Sequence, residues 1–275
     1  MKYATLRLGD GTTAMCRAQG DRWQFVQSKS GAPFTSIGEF LLSGDGVFVA
    51  GTNVEGPFTF AAPVPRPPKI IAVGLNYRDH AAEQNKPAPD KPMLFSKASN
   101  TVIGPDEPVR IPPTAGQIDF ECELGVVIGK GGLDITEGRW QDHVFGFTIV
   151  NDVTSREAQS GDKQFYRGKS FDTFCPTGPV VVTPDELDWR NLRLGMKLNG
   201  ATMQNGNTSD MCFGPPALVA YVSAVHALEP GDLIATGTPA GVLMYRPEKR
   251  FLQPGDITEA WIDGIGVLKN RFEKR

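Results

Sequence analysis

Residues 119–129 read Asp119-Phe120-Glu121-Cys122-Glu123-Leu124-Gly125-Val126-Val127-Ile128-Gly129. Side chains alternate across a strand, so Asp119, Glu121 and Glu123 share one face and Phe120, Cys122 and Leu124 the other. The apolar run that follows has to be buried. Three carboxylates leading into a core strand are costly unless a cation neutralises them. An all-oxygen ligand set points to Mg²⁺, with Mn²⁺ or Ca²⁺ behind it. The competing reading is an exposed strand edge with solvated acids.

Outward from this stretch, Val144 to Asn151 is a second strand candidate, and Asn151-Asp152 places a further carboxylate at its end. Alone, Asp152 reads as a turn residue; beside Glu121 and Glu123 it becomes a candidate third ligand. Upstream, Lys69 to Gly74 has a buried-strand pattern and Tyr77 to Gln84 suits a short helix. On that helix His80 and Glu83 lie at i and i+3, where a carboxylate can fix the imidazole and raise its basicity as a general base. Lys169 falls in an aromatic, cationic stretch between 163 and 176 that reads as a loop, and would suit an anionic intermediate or substrate. Thr236 to Gly241 offers hydroxyls and backbone N–H groups but lacks the lysine of a phosphate loop. Cys175 has no neighbour in sequence to activate it as a nucleophile.

The clearest helix spans Pro216 to Leu228, started by prolines and stopped by Pro230-Gly231. Pro230-Gly231-Asp232 and Pro254-Gly255-Asp256 read as two similar turns into strands. Glu259 to Leu268 ends the sheet. Residues 1–65 read as short strands between turns: Tyr3 to Leu8, Trp23 to Val26, and Gly44-Asp45-Gly46 as a turn. The stretch Ala62 to Pro68 holds four prolines and can form neither a helix nor a central strand. It marks the boundary between a small N-terminal module (1–65) and a catalytic domain (69–275).

Composition narrows the partners. With 28 Lys and Arg against 31 Asp and Glu, the chain has no basic surplus for nucleic acid. Three His and four dispersed Cys rule out paired structural zinc sites and favour free thiols in a reducing cytoplasm. No signal peptide is evident at the start, and no apolar run approaches the roughly 18 residues of a membrane helix. The 31 Gly and 22 Pro are scattered, as in a turn-rich, mainly β fold with a few helices.

Six segments together are similar to one known family: Gly74 to Glu83, Phe95-Ser96-Lys97, Asp119 to Leu124, Asn151 to Arg156, Gly168 to Asp172 and Thr236 to Gly241. In order and spacing the chain from about residue 69 to 273 resembles the fumarylacetoacetate hydrolase family. The resemblance implies a mixed β-roll with a small N-terminal β-containing module, and usually a homodimer. It implies a Mg²⁺ or Mn²⁺ site at Glu121, Glu123 and Asp152, a water-activating His80–Glu83 pair on a lid segment, and Lys169 as the active-site lysine. Thr238 would contact a substrate carboxylate, with Gln159 and Tyr77 as further pocket residues. The activity expected first is hydrolysis of the C3–C4 bond of a 2,4-dioxo acid such as an acylpyruvate, fumarylpyruvate or a 2,4-dioxo-3-deoxy sugar acid. The alternative is a Mg²⁺-dependent decarboxylase or isomerase of a 2-oxo diacid, oxaloacetate-like or 2-hydroxyhepta-2,4-dienedioate-like.

Overall fold

The apolar run Leu124 to Ile128 lies at the centre of a large sheet. In the computed structural model, which describes residues 1–44 and 49–275, the strand Cys122–Ile128 is buried along its whole length. It pairs antiparallel with Val144–Asn151 on one side and with Leu233–Ala235 on the other. Leu233–Ala235 runs parallel to Ile70–Gly74, which pairs antiparallel with Met93–Lys97 at the sheet edge. On the far side Val144–Asn151 meets Cys175–Val182, and that strand meets Lys2–Leu8. The first 61 residues thus add strands to the same sheet: Lys2–Leu8, Thr13–Gln19, Arg22–Gln27, Val49–Asn53 and Phe58–Ala61. A second, five-stranded sheet holds Ala201–Asn207, Arg193–Leu198, Ile257–Ile262, Gly266–Lys274 and Val109–Ile111. Its inward residues, among them Leu194, Met196, Ala260 and Leu268, join Leu124, Phe147 and Ile149 in one core. The fold is mainly β with a few short helices, as expected.

Several boundaries differ from the sequence reading. The strand expected over Asp119 to Ile128 is broken: Ile118–Asp119 pairs with Thr154–Ser155, and the long strand starts only at Cys122. Side chains capture the backbone at the break, Asp119 Oδ1 accepting from Phe120 N (2.9 Å) and Asn151 Oδ1 from Glu121 N (3.2 Å). The loop expected between 163 and 176 contains the short helix Tyr166–Lys169, and a strand begins at Cys175. The helix expected to reach Leu228 spans Pro215–Ser223, because the Ser223 carbonyl accepts from Asp134 N (3.0 Å) instead of continuing the helical ladder. A helix at Ile37–Ser43, among residues read as strands and turns, is capped by Ser36 and ends at Gly44; the rest of the expected Gly44-Asp45-Gly46 turn lies outside the described residues.

The proline-rich stretch carries neither helix nor strand. The two similar turns are alike in detail: Asp232 Oδ2 accepts from Glu229 N and Asp256 Oδ2 from Gln253 N, both at 2.8 Å, across Gly231 and Gly255 at φ +87° and +98°. No helix among the described residues is long and apolar enough to cross a membrane.

Close backbone approach ties the first 61 residues to the rest. A Cβ at Gly104 would lie 2.6 Å from Ala62 N and 2.9 Å from the Ala61 carbonyl carbon, and neither backbone atom can give way. Gly104→Ala should therefore cost about 1–3 kcal/mol and lower the melting temperature by roughly 2–10 °C in a thermal melt. Gly138→Ala, with nothing within 4 Å, should leave it unchanged.

Candidate active site

Antiparallel pairing sets the start of one strand beside the end of the next, and here both ends are acidic. Cys122 lies opposite Asn151, and Asp152 N donates to the Glu121 carbonyl at 2.9 Å. Glu121, Glu123 and Asp152, all buried, each bring a carboxylate oxygen within 4.8 Å of the others'.

Three buried cations answer these acids. Lys169 Nζ lies 2.6 Å from both Glu121 Oε2 and Asp152 Oδ2. Lys97 Nζ lies 2.6 Å from Asp152 Oδ1 and donates to the Lys169 carbonyl at 2.5 Å. Arg156 bridges Glu121 Oε1 (2.6 Å) and Asp119 Oδ2 (2.9 Å). Asp119 in turn accepts from Leu243 N and Met244 N, which fixes the turn that carries Tyr245. Glu123 is left without an ion pair among the described residues and accepts only Gly237 N, at 2.7 Å.

The electrostatics follow this pairing. Burial opposes charge on Glu121, but Lys169 and Arg156 outweigh it and hold its carboxyl well below the usual range. Burial, then Asp152 and Glu121, push the Glu123 carboxyl well above its usual range. Burial works against the Lys169 charge, yet Asp152 and Glu121 keep its ammonium above the ordinary lysine value. A divalent cation suits this oxygen-only donor set, because it would supply the positive charge that Glu123 lacks.

Beside the acids opens a cavity of about 300 Å³, lined by His80, Glu121, Glu123, Gln159, Lys169 and Thr238 among others. The helix Arg78–Glu83 buries His80, whose Nδ1 lies 2.6 Å from Glu83 Oε1. Glu83 Oε2 accepts from Gly241 N at 3.0 Å, so the orienting carboxylate is itself anchored. Gln84 Nε2 lies 2.9 Å from His80 Nε2, and the Tyr245 ring meets the imidazole edge to face at 6.1 Å. With Nδ1–H donated to Glu83, the Nε2 lone pair is the one that takes up protons.

The other expected residues divide. Gln159 lines the cavity and accepts from Arg156 at 3.1 Å. Thr238 lines it too, although its hydroxyl already donates to the Cys122 carbonyl and accepts from Gln204. Tyr77 does not line the cavity: it is fully buried and its hydroxyl has no hydrogen-bond partner among the described residues. Cys175 is a buried free thiol that burial pushes up to about 11. Sequence reasoning assigned no role to Lys97, Arg156, Gln84 or Tyr245. Lys97 and Arg156 lie inside the quoted segments, but nothing in the residue order shows that their charges turn inward.

Comparison with known proteins agrees with this architecture. The sequence profile of the fumarylacetoacetate (FAA) hydrolase C-terminal family matches residues 69–273. A mitochondrial oxaloacetate tautomerase of Homo sapiens is 45% identical over 216 residues, covering 78% of this chain and 69% of that protein. The Xenopus laevis oxaloacetate tautomerase is 44% identical over 212 residues, 76% of this chain and 66% of its own length. The chain thus spans about two thirds of the length of these relatives. Among solved structures, a fumarylacetoacetate hydrolase from Exiguobacterium antarcticum superposes with a TM-score of 0.87 at 33% identity over the whole of both chains. A 2-hydroxyhepta-2,4-diene-1,7-dioate isomerase from Mycobacterium marinum gives 0.79 at 32% identity, covering 100% of this chain and 99% of that one.

Metal addition should be visible as stability. In protein stripped by a chelator, Mg²⁺ or Mn²⁺ at about 100 times its dissociation constant should add about 2.7 kcal/mol, or several degrees of melting temperature. Glu123→Gln should abolish most of that shift while the variant still melts cooperatively. An equal shift in wild type and variant would remove Glu123 from the ligand set.

Proposed function

Because the chain belongs to the fumarylacetoacetate hydrolase family, we propose that it is a divalent-metal-dependent isomerase that interconverts the keto and enol forms of a small 2-oxo dicarboxylic acid of the oxaloacetate class. The observation that carries this reading is a proton carrier with its own orienting carboxylate, His80 on Glu83, in the same cavity as the buried acids. Mg²⁺ or Mn²⁺ held by Glu121, Glu123 and Asp152 would polarise the 2-oxo group and spread the negative charge of an enolate. His80 Nε2 takes a proton from C3 and returns one to the enol oxygen, or the reverse; no water is consumed. Glu83 holds Nδ1–H and stabilises the imidazolium between the two transfers. Lys169 and Arg156, which also line the cavity, hold the carboxylates of Glu121 and Asp152 in position beside the reacting group.

Hydrolysis of a C3–C4 bond, the activity expected first, would use the same pair to activate water. The tautomerase and isomerase names of the relatives favour the second expectation, proton transfer on a 2-oxo diacid. An anionic small-molecule ligand, a homodimer and a cytoplasmic location belong to the same proposal.

The test follows the decay of enol absorbance of oxaloacetate and, in D₂O, deuterium entry at C3 by NMR. His80→Asn should lower the catalysed rate about 10²–10⁴-fold. Acylpyruvate cleavage that outpaces keto–enol conversion in the wild type would transfer the reading to hydrolysis, and loss of CO₂ that outpaces it would transfer it to decarboxylation.

A further inference from the structure

Three cations line the cavity, Lys86, Arg156 and Lys169, and two of them are committed. Arg156 is clamped between Asp119 and Glu121, and Lys169 between Glu121 and Asp152. Lys86 is exposed at the rim and has no carboxylate partner among the described residues. Its Nζ donates instead to a neutral acceptor, Gln84 Oε1, at 3.0 Å. The other end of that amide is the group that sits 2.9 Å from His80 Nε2. One side chain therefore joins the free cation at the cavity mouth to the lone pair of the base.

Lys86 is also held in place by its backbone. Asn85 adopts the left-handed conformation (φ +53°), Lys86 N donates to the Ala81 carbonyl at 3.0 Å and Asn85 N to the Ala82 carbonyl at 2.9 Å. This is a Schellman closure of the helix that bears His80, so cation and base ride on one rigid element.

Resting on the reading of the substrate as a 2-oxo diacid, we infer that Lys86 receives the carboxylate remote from the 2-oxo group, and that Gln84 keeps His80 capped until that carboxylate arrives. A carboxylate forms an ion pair with the Lys86 ammonium where the amide oxygen offers only a neutral acceptor, and so displaces Gln84 from Lys86. The freed amide turns away and Nε2 becomes available to C3. A 2-oxo monoacid leaves the Lys86–Gln84–His80 chain intact. Lys86 and Gln84 together thus select dicarboxylates, Lys86 through binding and Gln84 through access to the base.

The experiment titrates metal-loaded, full-length protein with 2-oxoglutarate and with 2-oxobutyrate by calorimetry, and follows deuterium entry at C3 of both. Wild type should bind the diacid about tenfold or more tightly than the monoacid, a difference of about 1.4 kcal/mol. Lys86→Met should bring that ratio close to one, Lys86→Arg should retain most of it, and Lys91→Met, at an exposed lysine nearby, should retain all of it. Gln84→Ala should raise C3 exchange of 2-oxobutyrate relative to that of 2-oxoglutarate. An unchanged binding ratio in Lys86→Met, or an equal fall of both exchange rates in Gln84→Ala, overturns the inference even where exchange itself confirms the isomerase. If wild type does not accelerate enol decay of oxaloacetate but Lys86→Met still loses the binding preference, the isomerase reading falls and the remote-carboxylate site stands.

Discussion

Four buried carboxylates share this site with three buried cations. Lys97, Arg156 and Lys169 neutralise Asp152, Asp119 and Glu121 in a continuous ladder, and Glu123 remains over. An uncompensated carboxylate in such a place costs several kcal/mol, so the group either holds a proton or meets a cation. Much of the surrounding structure answers that constraint. Lys97 reaches in from an edge strand, Lys169 from a short helix, and Arg156 from the helix that follows Asp152. Asp119 passes the order on to the turn at Leu243–Tyr245 through two backbone hydrogen bonds.

The sheet supplies the stiffness that this arrangement needs. Cys122–Ile128 is buried along its length and bonded on both edges, so Glu123 within it and Glu121 just before it are held by an element that cannot shift without disturbing the core. The proton-handling group sits on a different kind of element: a six-residue helix tied back through Glu83 to Gly241. A rigid charge cluster facing a smaller unit that carries the base is a sensible division for proton transfer next to a carbonyl. The charge must stay fixed, while the base has to be uncovered and covered again.

Much of this was legible in the residue order, for identifiable reasons. The runs at 124–128 and 144–150 are too apolar to be exposed, and the acids at their ends therefore come together once the strands pair. His80 and Glu83 are legible because helical spacing alone places them side by side. The break after Asp119 was not legible, because strict alternation assumes an unbroken strand and side chains capture the backbone at residues 120 and 121. Lys97 and Lys86 were illegible for one reason: a lysine reads as solvated whether it is buried against a carboxylate or held by a neutral amide at a cavity rim. Tyr77 lies close to the base in sequence, but the fold turns it into the core.

The charge count can be measured directly. Titrating Mg²⁺ or Mn²⁺ into stripped protein near neutral pH, in buffers of differing ionisation enthalpy, gives the number of protons released per ion bound. Because Glu123 has no cation to meet in the stripped protein, the account predicts release of about one proton per ion bound, and loss of that release in Glu123→Gln. Binding with no proton release, or release that persists in Glu123→Gln, would contradict it.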